Sequence, residues 1–395
     1  MIVENIRIEE QAGYSQLTAR VRRESGPVWE NDLWFRFPRQ FGHHLIAEGD
    51  PFLTALLLPA MVGEKRLLIE GQVSPRLLKN AARIQDIYAA WVGNARHVAI
   101  ETGKRPVLLE TPAPGTGAFF SGGVDSFYTV LKNVGAITHL ILIDRLDSKQ
   151  MNSASVCRDT REHAGRVAVR LGKELLVVET NARTLFVPAV TWKDYHGAVL
   201  AAIGLGLRKV MGTVFIAGTH TYGQLRPWGS HPLLDPLWST EATEIIYDGA
   251  EATRAQKIMN CLCHSELALQ SLRVCLSAGD QYNCGRCEKC LRTMIPLYMA
   301  GCLGQATAFP ATLGVGEVAR HIYETEGKIQ FIQENITLLE SKADKSPLDR
   351  RLLRALQDAI RRSRQKLARR ERKKNRKLRP ARGLWVDMFR RLTGQ

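Results

Sequence analysis

The stretch Ala118-Phe119-Phe120-Ser121-Gly122-Gly123-Val124-Asp125-Ser126 decides how this chain reads. A short apolar strand, Ala118–Ser121, runs into two glycines, and Asp125-Ser126 opens a helix across Asp125–Asn133. Glycines let backbone amides approach an anion closely, and a helix amino terminus adds partial positive charge. Ser121 and Ser126 add hydroxyl donors, so Ser121, Gly122, Gly123, Val124 and Ser126 are expected to cradle phosphate. Asp125 repels phosphate itself; its expected role is to hold a Mg2+ that neutralises a polyphosphate. Neither the Gly-Lys-Ser/Thr of a Walker A loop nor the Rossmann glycine fingerprint is present. The alternative is a plain Gly-Gly turn with Asp125 as an N-cap.

Outward from this stretch, strand and helix alternate. His139–Ile143, Glu174–Glu179 and Thr213–Ala217 read as strands, Ser153–Leu171 and Tyr195–Arg208 as helices. Such alternation of apolar, β-branched strands with helices argues for an α/β fold, a parallel sheet covered on both faces. Its ligands collect at the carboxyl ends of the strands. His220, Arg226 and His231 follow the Thr213–Ala217 strand on that side, which makes them candidates for substrate contact or proton transfer.

Before the loop, Ile2–Ile8, Leu17–Arg23, Leu33–Phe37 and Lys65–Glu70 are strand-like. Ser74-Pro75 then caps a helix whose Leu77, Leu78, Ala81, Ile84, Ile87, Tyr88 and Trp91 fall at helical spacing. The expected organisation is a β-rich accessory domain with one helix over 1–114 and a nucleotide-binding domain over 115–250. A cysteine-bearing helical region over 251–310 and a helical extension over 311–395 complete it. Ser346-Pro347 with Asp349 opens the last helix, along which Leu348, Leu352, Leu353, Leu356 and Ile360 are the apolar positions.

The chain has 395 residues, 45% of them hydrophobic and 24% charged, a globular composition. Its longest apolar stretches, Leu53–Val62 and Ala198–Leu207, fall short of the roughly 20 residues a membrane span needs. Met1–Asn5 has no basic segment leading into an apolar one, so a cytoplasmic protein with no membrane partner is expected. The net charge of +16 belongs largely to a tail. Between Arg361 and Arg382 lie 13 basic residues and one acid, leaving only +4 for the other 373 residues. That tract offers a sequence-blind phosphate surface, a docking segment for a protein partner, or a solvated helical extension. Beyond it Leu384, Trp385, Met388, Phe389 and Leu392 fall on one helical face.

Four of the eight cysteines, Cys275, Cys284, Cys287 and Cys290, fall within 16 residues. Four soft thiolates suit a closed tetrahedral Zn2+ site of structural type, with an iron–sulfur cluster as the rival.

Ser-Gly-Gly-x-Asp-Ser after a strand resembles the PP-loop of the ATP pyrophosphatases, the adenine nucleotide alpha-hydrolases. That resemblance implies a Rossmann-like parallel sheet ordered 3-2-1-4-5, which binds ATP and cleaves it between the alpha and beta phosphates. It also places Asp144, just past the second strand, at the ATP site. The PP-loop together with Cys-x8-Cys-Gly-x-Cys-x2-Cys-x-Arg is similar to the 7-cyano-7-deazaguanine synthase (QueC-like) branch, over roughly residues 117–295. These enzymes activate a deazaguanine carboxylate with ATP, then form an amide and a nitrile with ammonia, and similar proteins occur in bacterial anti-phage gene clusters. The chain departs from the branch where its Gly-Tyr-Pro-Asp-Cys-Arg run would stand. That segment here reads Gly218-Thr-His-Thr-Tyr-Gly-Gln-Leu-Arg-Pro-Trp-Gly-Ser-His231, and Ser239-Thr240-Glu241 lacks the branch's lysine.

The expectation is therefore an ATP-dependent ligase that adenylates a carboxylate and passes it to ammonia or another amine, with ATP, Mg2+ and Zn2+ as cofactors. An RNA-modifying or thiolating PP-loop enzyme and a non-catalytic nucleotide sensor are the alternatives.

Overall fold

The computed structural model describes residues 1–24, 26–104, 111–144, 154–275 and 282–393, and of residues 104, 154–156 and 374–393 the backbone alone. Two compact units divide it, Met1–Asp280 and Gln281–Gln395.

The first unit is built on one sheet. Its strands are β1 (Ile2–Glu10), β2 (Tyr14–Arg22), β3 (Glu30–Pro38), β4 (Arg66–Val73), β5 (Ala99–Lys104), β6 (Gly115–Phe119), β7 (His139–Ile143), β8 (Glu174–Thr180), β9 (Met211–Ala217) and β10 (Glu244–Asp248). They stand in the order β10-β9-β6-β7-β8-β3-β2-β1-β4-β5. The sheet as a whole has ten strands, so its order differs from the expected 3-2-1-4-5; within it the five strands of Gly115–Asp248, counted in chain order, stand 3-2-1-4-5 as β8-β7-β6-β9-β10. Those of the Gly115–Asp248 segment pair with one another in parallel throughout. At β8 the sheet does not end: β3 pairs antiparallel with it through Phe35 opposite Thr180. The physical reason is that β8 would otherwise present an edge of unpaired amides and carbonyls. Asn181 reinforces the junction, accepting from the Trp34 amide at 3.0 Å and donating to the Asp32 carbonyl at 2.7 Å. The region read as a front accessory domain thus supplies β1–β5 of the shared sheet.

The helices of this unit are α1 (Asp50–Gly63), α2 (Pro75–Trp91), α3 (Val124–Lys132), α4 (Ala154–Leu171), α5 (Ala182–Phe186), α6 (Trp192–Gly206), α7 (Arg254–Asn260) and α8 (Glu266–Ser271). In α2 the Ser74 hydroxyl accepts from the Leu77 amide, and Leu77, Ala81, Ile84 and Tyr88 are buried, as the helical spacing requires. α1 is buried from Asp50 through Met61 and packs on α6, which is itself apolar almost throughout. A helix that is hydrophobic all round belongs to a core. α3 packs against α7, and α4 against α8. The helix expected from Ser153 is seen from Ala154; Ser153 lies outside the described residues.

One close approach positions the site. Gly197 of α6 lies against Gly229 of the loop after β9, so that a Cβ at 197 would stand 1.9 Å from the Gly229 carbonyl oxygen. The Gly229 amide in turn donates to the Lys193 carbonyl at 2.8 Å.

The second unit contains α9 (Glu288–Met299), α10 (Val315–Arg320), α11 (Glu326–Ser341) and α12 (Pro347–Thr393), with no strand among its described residues. At the start of α12, Asp349 accepts from the Ser346 amide and the Ser346 hydroxyl from the Asp349 amide, a reciprocal cap. The basic tract lies within α12; its side chains beyond Lys373, and the apolar residues Leu384 to Leu392, lie outside the described side chains. No described helix is long and apolar enough to cross a membrane.

Gly197→Ala should lower stability by about 1–3 kcal/mol, the usual cost of overpacking. Urea unfolding measures it; an unchanged midpoint would show that the loop does not rest on α6.

Candidate functional site

The loop after β6 turns into α3 through a left-handed Gly122, φ +74°, a conformation L side chains rarely adopt. Its carbonyl accepts from the Arg273 amide at 2.7 Å, which fixes the turn from outside. Within it, the Ser126 hydroxyl donates to the Gly123 carbonyl at 3.0 Å and accepts from the Ser121 amide at 3.3 Å. The two serine hydroxyls are 3.3 Å apart. Gly123 is the N-cap of α3 and Val124 its first residue, so the amides of the first turn are those a helix leaves unpaired.

Over this turn opens a cavity of about 300 Å3. Ser121, Asp125 and Ser126 form one side and the ends of β6, β7 and β9 its base. Trp192 and His196 of α6, with Trp228 and Ser230 of the loop after β9, close it. In the aromatic wall His196 lies tilted against Trp192 at 6.0 Å and edge-on to Trp228 at 5.9 Å between ring centroids. The position agrees with the rule that ligands of parallel sheets sit beyond the carboxyl ends of the strands.

Asp125, the expected Mg2+ ligand, is held by two cations of α7. One of its oxygens takes Arg254 Nη2 at 2.5 Å and the other Lys257 Nζ at 3.1 Å. Lys257 is 1% exposed and also donates to the Gly218 carbonyl at 2.7 Å. The carboxylate is already neutralised by two cations, so its evident work is to tie α3 to α7. Thr129 and Lys132 of α3 extend the tie, contacting Asp248 at the end of β10 at 2.8 Å each.

The remaining sequence candidates separate. Asp144 stands at the end of β7, buried, and is paired with Arg161 of α4, which also reaches Glu179 at 3.1 Å. It is not among the cavity's lining residues. His220 is buried and its Nε2 accepts from Arg226 Nε at 3.2 Å, which places the ring proton on Nδ1. Burial lowers the pKa of Arg226. His220 stands edge-on to Trp228 of the cavity wall, 5.3 Å between ring centroids. His231 faces elsewhere: its ring packs on Trp91, its Nδ1 accepts from the Leu233 amide at 3.1 Å, and burial holds its pKa down.

Sequence reasoning missed Arg254, Lys257, Trp192, His196, Trp228, Ser230 and Asp235. The start of α7 was legible, since Thr253 and Gln256 make a capping box there. Asp235 was not. It is fully buried, accepts from the Ser230 hydroxyl at 2.6 Å and the His231 amide at 3.1 Å, and burial raises its pKa to about 7.

The cysteine expectation meets a matching geometry. The sulfurs of Cys275, Cys284, Cys287 and Cys290 all lie within 4.8 Å of one another, and Cys275 and Cys290 are buried. Cys284 and Cys290 Sγ are 3.9 Å apart. A tetrahedral ion with metal–sulfur bonds of about 2.3 Å separates its sulfurs by about 3.8 Å. The Cys287 amide donates to Cys284 Sγ at 3.3 Å, a contact suited to a thiolate. The set fits a metal ion such as zinc, and being four-coordinate it leaves no open position for chemistry.

No protein-family model matches the chain, and no curated protein or solved structure does either.

Asp125→Asn should cost about 3 kcal/mol of stability, because it leaves the Lys257 charge buried without its anion. Equilibrium unfolding of the variant checks this; wild-type stability would return Asp125 to a purely ligand-binding role. For Asp235 the folded-state pKa is raised, so between about 4 and about 7 the folded chain holds a proton that the unfolded chain has lost. Its contribution to stability is complete at low pH and declines as pH rises to about 7. Asp235→Asn should flatten that part of the curve in urea titrations at pH 5 and pH 8.

Proposed function

We propose that the chain is an adenylating ligase of the PP-loop type, activating a carboxylate with ATP and transferring the acyl group to an amine. The observation that carries this reading is the cavity above a left-handed glycine at the start of α3, lined by Ser121 and Ser126. Phosphate oxygens are received by the first-turn amides of α3 and the two serine hydroxyls. Arg254 and Lys257, on the far side of Asp125, supply positive charge where pyrophosphate would leave. Mg2+ would enter with the nucleotide; with Asp125 already bound to two cations, we assign it no protein ligand there.

The catalytic work is positioning and stabilisation of charge on the departing pyrophosphate. The aromatic wall of Trp192, His196 and Trp228 suits a flat organic acid, in keeping with the deazaguanine carboxylates of the branch the sequence resembles. The cysteine cluster would hold zinc in a purely structural role. A second reading, modification of RNA, draws on α12, where every basic residue from Arg361 to Lys373 is exposed.

Carboxylate-dependent exchange of labelled pyrophosphate into ATP tests the reading directly. Ser126→Ala should reduce kcat/KM for exchange about tenfold to a hundredfold, the loss of one or two hydrogen bonds to charged oxygen. Exchange that is absent with every acid tried, or undiminished in the variant, would overturn the assignment.

A further inference from the structure

Thr219 and Ser230 are the hydroxyl-bearing residues of the loop after β9 among the cavity's described lining residues, and behind Ser230 stands a buried acid. The Ser230 Oγ–Asp235 Oδ2 distance is 2.6 Å, and Asp235 Oδ1 is occupied by the His231 amide. When Asp235 is ionised, the serine hydrogen points into the carboxylate, and only oxygen lone pairs remain to face a ligand. A wall of that polarity accepts from N–H groups. It disfavours the carboxylate of an acid substrate, because a fully buried negative charge lies one hydroxyl behind it. Leu200, Ile141 and Ile216 line the same cavity, and it is the neutral form of an amine, with its lone pair free, that attacks.

We propose that Ser230 is the contact for the amine co-substrate and that Asp235 positions it, which rests on the ligase reading above and assigns its second half-reaction. The amine nitrogen attacks the acyl carbon of the adenylate, a C–N bond forms, the acyl C–O bond breaks, and AMP leaves with that electron pair. The surplus nitrogen proton passes to Ser230 Oγ as the serine proton moves to Asp235. Burial keeps Asp235 suited to accept a proton near neutral pH. The Asp235 charge in turn reaches the Tyr88 and Tyr247 hydroxyls, both held protonated by burial, so neither competes for that proton.

The test uses the full chain and an acid chosen by pyrophosphate exchange, with methylamine as the probe and amide formation as the readout. In Ser230→Ala, KM for methylamine should rise about tenfold or more, the loss of one hydrogen bond in an apolar cavity, with KM for ATP within about twofold of wild type. Asp235→Asn should raise the same KM and remove the rise of kcat between pH 6 and 8. Because Asp235 is a core residue, its variant is read only if circular dichroism shows it folded, and Ser230→Ala decides the matter alone otherwise. Exchange without any change in methylamine KM in Ser230→Ala would overturn this assignment and leave the ligase reading standing. No exchange in the wild-type protein would remove both.

Discussion

The Lys257 ammonium is the charge on which the site depends. It lies 1% exposed, and an unpaired ion so placed would be too costly to keep. Asp125 from the start of α3 and the Gly218 carbonyl from the end of β9 both meet it. One cation thus joins the turn after β6, the strand beside it and α7. Parting α3 from α7 would leave that buried ammonium without its anion.

This arrangement bears on the chemistry. A phosphate-binding turn with a carboxylate in its first helical residues faces a conflict, since that carboxylate repels the ligand. Here the conflict is removed within the protein: Arg254 and Lys257 outweigh Asp125, and the cluster carries net positive charge. The rest of the lining is largely apolar and aromatic, and one of its polar residues, Ser230, is backed by an acid. On the proposed reading, polarity runs along the cavity from anion-accepting amides at Ser121–Ser126 to an acceptor of N–H at Ser230, the order in which a triphosphate, an acid and an amine would be placed.

The legible part of the fold was its periodic part. Ser74 and the residues on one face of α2, the strands β6 to β9, and the turn at Gly122-Gly123 all carry local signals of cap, period or breaker. α1 carried none: a helix buried on every side has no amphipathic period to read, and Leu53–Val62 drew notice only as too short for a membrane. The ten-stranded sheet was equally hidden, because the pairing of Phe35 with Thr180 joins residues far apart in sequence. In the site, Ser121, Ser126 and the four cysteines were read from spacing. His220, Arg226 and His231 were read from their position after a strand, which fixes the end of the sheet but not the side chain's direction. Asp235 and Lys257 owe their character to burial, a tertiary property that no spacing reveals.

The central claim is that the amides at the start of α3 receive the phosphates of a nucleotide. Calorimetric titration of pyrophosphate into the protein, with Gly122→Val alongside, tests it most directly. A valine at 122 must abandon the left-handed conformation and with it the turn. The account predicts that pyrophosphate binds the wild-type chain, competes with ATP, and loses measurable affinity in the folded variant. Equal binding to both proteins, or binding of ATP that pyrophosphate does not displace, would contradict it.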